Sequence, residues 1–367
     1  MKVECPRKEL LEAVTLATTA SSMRSALPIL TTLRLEAVAD GLSVLGCDGE
    51  MWAERKIMAA TSEPGGACVS AKLLSDIVSN LPDGQISLET EGTSLVLRQG
   101  ANAEWKLMFL PADEFPVAPD VSGNAELSLT MAEFREAVDG VSYAVADDNS
   151  RPQLTGVLFT YNGHELTLVA TDTHRLAVLK LIKEGIGSTM RAIVPEKALR
   201  AIKSLPVDAS ETFTVRFDDT RLAVDAGNSQ VVSQLLAGAF PDWERVVPAE
   251  STRTWILDRA ELLDHVKRTM ILARDSAGRV KFSGQGEAIL LSSRSEDKGE
   301  AKELVGVVSK NGEIDIAFNG RYVIDALSAM KADGIKAELT EPSRPAVFRP
   351  VDGGESQFCV IMPMALS

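Results

Sequence analysis

The chain of 367 residues is poor in the side chains that build reaction centres: three histidines, four cysteines and only 5% aromatics. No apolar run approaches the roughly 18 residues a membrane span needs, and the N-terminus lacks a basic stretch leading into an apolar one. Neither a membrane partner nor a secretory signal is expected, and the protein is expected to be cytoplasmic. Cys5, Cys47, Cys68 and Cys359 are too dispersed for a zinc site and read as small reduced core residues. Gly65-Gly66, Gly284-Gln285-Gly286 and Gly353-Gly354 open no helix, so they read as turns and not as phosphate cradles. The acidic segment Glu296-Asp297 with Glu300 and Glu303 is interleaved with Lys298 and Lys302, the pattern of a solvated loop, not of a metal site. No metal and no cofactor are expected.

The histidines add little. His164 follows Asn162-Gly163, a hairpin-turn signal, and His265 stands beside Lys267 and Arg268; neither has a carboxylate or cysteine at metal-ligand spacing. His174 lies in Ala170-Thr171-Asp172-Thr173-His174-Arg175-Leu176-Ala177, where Asp172 and His174 fit an orienting carboxylate and a general base, with Thr171 as nucleophile. Period-2 alternation points Thr171 away from both, so a polar strand end or turn is the better reading. A hydrolase using Asp172 and His174 stays as the remote alternative.

What is present is repetition. Residues 28–55 overlie 152–179 without a gap at an offset of 124, matching Pro28, Leu30, Thr31, Leu42, Asp48 and Ala53 to Pro152, Leu154, Thr155, Leu166, Asp172 and Ala177. That period is far longer than a solenoid or propeller repeat, so the unit is a whole domain. Each third of the chain opens with an amphipathic helix signal: Leu10, Leu11, Val14; Met131, Phe134, Val138; Leu262, Leu263, Val266. A second follows at Leu73, Leu74, Ile77; Ala198, Leu199, Ile202; Val323, Ile324, Leu327. Between them run alternating strands such as Leu33, Leu35, Leu42, Val44 and Val157, Phe159, Leu166, Leu168. The last third, with Val280, Phe282, Ile289 and Leu291, aligns more loosely. Joins fall in the proline-rich stretches 116–123 and 241–252, which follow Phe115-Pro116 and Phe240-Pro241. The expectation is an α+β chain of three tandem domains, 1–120, 125–247 and 252–367.

The net charge of −14 argues against clustered phosphate contacts, but its distribution is uneven. The six helical segments hold 12 Lys+Arg against 10 Asp+Glu, leaving 26 against 42 in strands and loops.

At this point a family likeness appears. Ala170 to Ala177, reading ATDTHRLA, resembles the ATDGHRLA segment of the bacterial sliding clamps, the β subunits of DNA polymerase III. Val360-Ile361-Met362-Pro363-Met364 resembles that family's ending, as do Leu27-Pro28-Ile29-Leu30, Phe240-Pro241-Asp242 with Arg245-Val246, and Phe318-Asn319 with Tyr322, all in order along the chain. The resemblance implies three tandem DNA-clamp (processivity-fold) domains, with helices lining a ring and antiparallel sheets on the outside. It implies a non-enzymatic processivity factor, a head-to-tail homodimer encircling double-stranded DNA without sequence preference. DNA-proximal positions would fall on Arg24, Lys72, Arg151 and Lys197.

The resemblance further implies a groove between the second and third domains for short peptides. Their carriers would be the replicative polymerase, the clamp loader, translesion polymerases, mismatch-repair proteins and ligase. The groove positions are Leu154, Thr171, Thr173, His174, Arg175, Leu176, Pro241, Arg245, Val246, Asn319, Tyr322, Val347, Met362, Pro363, Met364 and Ala365. Their chemistry suits peptide capture: Leu154, Leu176, Val246 and the methionines make an adaptable apolar pocket, and His174, Arg175 and Arg245 supply rim donors. Met362 and Met364 suit core packing equally well. The chain departs from the family at Thr173, where glycine is usual, which narrows the pocket mouth or alters a turn that wants positive φ. Ala365 replaces a frequent arginine, Asp148 an amide, and Pro152 and Gln153 two tyrosines. Thr173 and these substitutions raise an alternative, a specialised or duplicate clamp serving repair or inhibitor resistance.

Overall fold

The computed structural model describes residues 1–22, 24–123, 125–148, 150–183, 189–273 and 277–366. Among them are six α-helices: α1 Arg7–Thr19, α2 Ala71–Asn80, α3 Met131–Asp139, α4 Glu196–Lys203, α5 Arg259–Thr269 and α6 Gly320–Ala329. All six coincide with the apolar spacings in the sequence. Side chains fix the starts of four of them, α2, α3, α5 and α6. Ser70, Asp258 and Asn319 accept from Leu73, Glu261 and Arg321 backbone N–H groups, and Thr130 and Glu133 close a reciprocal capping box on α3. α1 buries Leu10, Ala13, Val14, Leu16 and Ala17; each large aliphatic among them is worth about 1.5–3 kcal/mol in water-to-core transfer. Gly46 permits that packing, because a Cβ there would collide with the Ala17 carbonyl oxygen. Leu73 departs from the expected stripe: it is 51% exposed, and Leu74 carries the buried face.

The described residues divide into two compact units, one holding 1–135 and 194–235, the other 136–183, 189–193 and 236–366. The division passes through the middle repeat, because its strands extend two different sheets. In the first unit thirteen strands form one sheet, where Ser229–Gln234 pairs antiparallel with Met51–Met58 and sets Val232 opposite Trp52. In the second unit a nine-stranded sheet contains Arg175–Ile182 paired with Gln357–Ile361, setting Leu176 opposite Val360. A separate four-stranded sheet in the same unit runs Gly299–Gly306, Ala288–Ser295, Arg279–Gln285 and Asp315–Asn319.

Several sequence expectations change. Gly65-Gly66 opens the strand Gly65–Ser70 instead of forming a turn. The acidic segment is a hairpin, not a loop: Gly299–Gly306 pairs along its length with Ala288–Ser295, which puts Glu300 and Glu303 on a strand. Glu303 bonds His265 Nδ1 at 2.7 Å and Arg268 Nε at 2.9 Å, and Glu261 lies 3.8 Å from His265 Nε2, so His265 does have a carboxylate one helical turn back as well as one 38 residues away in sequence. His164 does sit in the Asn162-Gly163 turn, with Asn162 Oδ1 accepting from its backbone N–H. The four cysteines are free and buried. No helix among the described residues is long and apolar enough to cross a membrane, and no cluster of metal-ligating side chains occurs among them.

Candidate functional site

Strand Glu165–Thr171 ends one residue before Asp172, and strand Arg175–Ile182 begins just after His174. The three residues between them are a turn built by the Asp172 carboxylate. Its Oδ1 accepts from the backbone N–H groups of His174 at 2.9 Å and Arg175 at 3.0 Å, while Oδ2 accepts from Arg175 Nε at 2.9 Å. Thr173 is left at φ 78°, a conformation that costs a β-branched residue energy and that glycine adopts freely. The strand alternation used to separate Thr171 from His174 therefore stops at Thr171. The catalytic arrangement is absent for a different reason: Asp172 is spent on the turn and on Arg175, and Thr171 Oγ1 donates to the Arg175 carbonyl at 2.7 Å.

Arg175 is the hub. It reaches Asp325 on α6 at 2.7 Å, and its guanidinium lies 4.5 Å from the Tyr322 ring centroid and 5.5 Å from that of Tyr143. Burial opposes its charge, but the bonds it donates to Asp325 and Asp172 prevail and raise its pKa. Burial, with Asp172 adding to it, also raises the Tyr322 hydroxyl. His174, on the exposed side, stacks on Tyr322 with ring centroids 6.5 Å apart.

Beside this hub lies a cavity of about 210 Å³. Thr171, Thr173, Arg175, Leu176, Pro241, Val246 and Met362, all expected groove residues, line it. Arg151, expected near DNA, joins them, and so do two residues absent from the sequence expectation, Trp243 and Val360. Leu154 and Val347 lie beneath, 1% and 2% exposed, in the apolar cluster that also holds Leu176 and Val360. They support the floor without facing a ligand. Arg245 is well out in solvent with Asp242 at 2.7 Å, in a shallower depression shared with Val246 and Met362. Met362 is tied by its N–H to the His174 carbonyl at 2.9 Å, and Met364 by its N–H to the Ala317 carbonyl at 2.7 Å. Pro363 between them is half-buried and Ala365 is exposed. Asn319 is a helix cap, its Oδ1 accepting from Arg321.

Three adjoining family models match this chain: the N-terminal domain of the DNA polymerase III beta subunit over residues 1–119, the central domain over 128–242 and the C-terminal domain over 244–365. The beta sliding clamp of Staphylococcus aureus is 30% identical over 355 residues, covering 94% of both chains. The chain belongs to the beta sliding clamp family. A Synechocystis clamp is 29% identical over 392 residues with full coverage of both. The Bacillus subtilis clamp structure superposes with a TM-score of 0.94 at 28% identity, and the Pseudomonas aeruginosa clamp bound to griselimycin with 0.93 at 28%, each over the whole of both chains.

The expected DNA-proximal cations of this clamp differ in their freedom. Arg24, Lys72 and Arg151 are exposed. Lys197, on the first turn of α4, is instead joined to Asp48 through its Nζ. Asp48 builds a turn of the same design as Asp172, with Oδ1 accepting from Glu50 and Met51 backbone N–H groups.

Proposed function

We propose that this chain is the processivity factor of a bacterial DNA polymerase III, a non-catalytic sliding clamp that closes as a head-to-tail homodimer around duplex DNA in the cytoplasm. Its three domains correspond to 1–120, 125–247 and 252–367. Two edges suit that pairing. Among the described residues the strand Gly299–Gly306 has a neighbour on one side only, and Leu304 on it is 59% exposed. On the first domain Met108 and Leu110 are 70% and 37% exposed on the strand Ala103–Leu110, whose pairing with Gly65–Ser70 covers only its last residues. Six similar domains in heterologous contact then close a ring. Helices of mildly positive charge face the duplex, with Arg24, Lys72, Arg151 and Lys197 near it, and the acidic remainder repels phosphate, so linkage and not adhesion retains the clamp.

The partly apolar 210 Å³ cavity carries the second half of the reading. Leu176, Trp243, Val246, Val360 and Met362 give it walls for the side chains of an extended peptide, and Arg151, Thr171 and Thr173 give it a polar mouth. His174, Arg175, Pro241, Arg245, Asn319, Tyr322, Pro363, Met364 and Ala365 border or brace it, over Leu154 and Val347. Its ligands are the clamp-binding peptides of the replicative polymerase, clamp loader, translesion polymerases, mismatch-repair proteins and ligase. Thr173 at positive φ beside this mouth supports a second reading, a specialised clamp whose pocket selects against some of these ligands.

The test is retention on DNA. Loaded onto nicked circular DNA, the protein should stay through a salt wash and be lost once the circle is linearised; equal retention on both forms refutes encirclement.

A further inference from the structure

Trp52 holds in the first module the position that Leu176 holds in the second, at the repeat offset of 124. The ladders confirm the equivalence, since Leu176 faces Val360 and Trp52 faces Val232 in antiparallel pairs of the same kind. Beyond the proline join the correspondence continues at an offset of 125, matching Pro116, Ala118 and Val121 to Pro241, Trp243 and Val246. The adjoining turns also agree: Asp48 and Asp172 each accept two backbone N–H groups, and the next residues, Gly49 and Thr173, have φ of 99° and 78°. One backbone frame thus occurs twice, each copy within its own compact unit.

The two copies are filled differently. At the second, Leu176, Trp243, Val246 and Val360 border the open cavity. At the first, Trp52, Ala118, Val121 and Val232 close into one apolar cluster with Leu30 and Phe115, and Trp52 is 8% exposed. The large indole has moved from the linker position to the strand position. Its Nε1 is buried with no hydrogen-bond partner, which a core tryptophan ordinarily avoids. A side chain placed there for packing alone would sit better as leucine or phenylalanine.

We propose that the first junction is a peptide site occupied from within, the Trp52 indole taking the space that the second junction leaves for an apolar side chain of a bound peptide. The inference rests on reading the second cavity as a peptide pocket. Each chain then offers one peptide site where its repeat would give two, and removing the indole uncovers a second site for the same ligand class, a short extended peptide with apolar residues.

The experiment is titration calorimetry of the full-length protein with a capped pentapeptide carrying leucine at alternate positions, matched to the walls Leu176, Trp243, Val246, Val360 and Met362. The unaltered protein should bind one peptide per chain and Met362→Asp none. The swap Trp52→Leu with Ala118→Trp, which copies the Leu176 and Trp243 arrangement and keeps the apolar content, should bind two. The swap combined with Met362→Asp should bind one. Trp52→Leu alone should behave like the swap, which stands in for it if the single variant fails to fold. A folded swap that still binds one peptide, or none once Met362→Asp is added, overturns the inference and leaves the second-junction pocket standing. No binding to the unaltered protein overturns the pocket reading itself and the inference with it.

Discussion

Replacing Arg175 by methionine removes one cation from between two carboxylates. The Arg175 side chain is 10% exposed, and those of Asp172 and Asp325 are 15% and 16% exposed, so water does little to compensate either acid. Breaking such a pair by deleting one partner costs about 3–5 kcal/mol, and loss of the contact with Tyr322 at 4.5 Å adds about 0.5–1 kcal/mol. Arg175→Met should therefore destabilise the unit containing it by roughly 4 kcal/mol, toward the low end of the summed ranges because Arg321 Nε still reaches Asp325 at 2.9 Å. Asp325→Asn should cost less, because Asp172 still partners Arg175. The double variant should cost less than the sum of the two, by at least about 1.5 kcal/mol, since the neutral amide on α6 needs no counter-ion once the guanidinium is gone. Native-state amide exchange in the strand Gln357–Ile361, which pairs directly with Arg175–Ile182, reads the local free energy without assuming that the whole chain unfolds in one step. Additive single effects, or a loss below about 1 kcal/mol for Arg175→Met, would refute the idea that this ion cluster clamps α6 to the pocket turn.

Thr173→Gly relieves a left-handed backbone worth about 1–2 kcal/mol and gives back about 0.5–1 kcal/mol in chain entropy, so the denaturation midpoint should rise slightly; a clear fall contradicts the strain. Its counterpart Gly49→Thr, at φ 99°, should lower stability by about 1–2 kcal/mol under the same urea titration. Glu303 supplies a pH signature. Hydrogen bonding from Arg268 outweighs desolvation and, with His265, lowers its pKa from 4.5 to about 2. The resulting stability is complete above pH 4.5 and is lost as pH falls toward 2, and Glu303→Gln should flatten that segment of the stability profile.

What the sequence disclosed follows the range of the forces involved. Apolar spacing is local, so Leu10 and Val14, or Phe134 and Val138, marked their helices directly. The offset of 124 between Asp48 and Asp172 marked the domain repeat, and of the two readings that the family likeness offered for Thr173, a narrowed pocket mouth or a turn wanting positive φ, the structure has the residue at φ 78° and on the cavity lining. Most pocket residues came from the family likeness. Trp243 stood in a proline-flanked join, where a large aromatic was itself the unused signal, and Val360 enters only because its strand pairs with Leu176 across 184 residues. The His265 and Glu303 pairing was hidden because a hairpin brings the carboxylate back to α5. Alternation failed at Asp172 because one side chain's hydrogen bonds outweigh strand geometry over three residues.

Both proline-rich joins are bypassed by hydrogen-bonded ladders, Ser229–Gln234 on Met51–Met58 and Gln357–Ile361 on Arg175–Ile182. Mechanical continuity in this molecule therefore does not run along the covalent thread. Load applied to one module passes sideways through rows of amide bonds sheared together, which resist far better than a tether, and the peptide segments between modules are free to serve as packing and pocket wall, as Phe115 and Val121 do at one join and Trp243 and Val246 at the other.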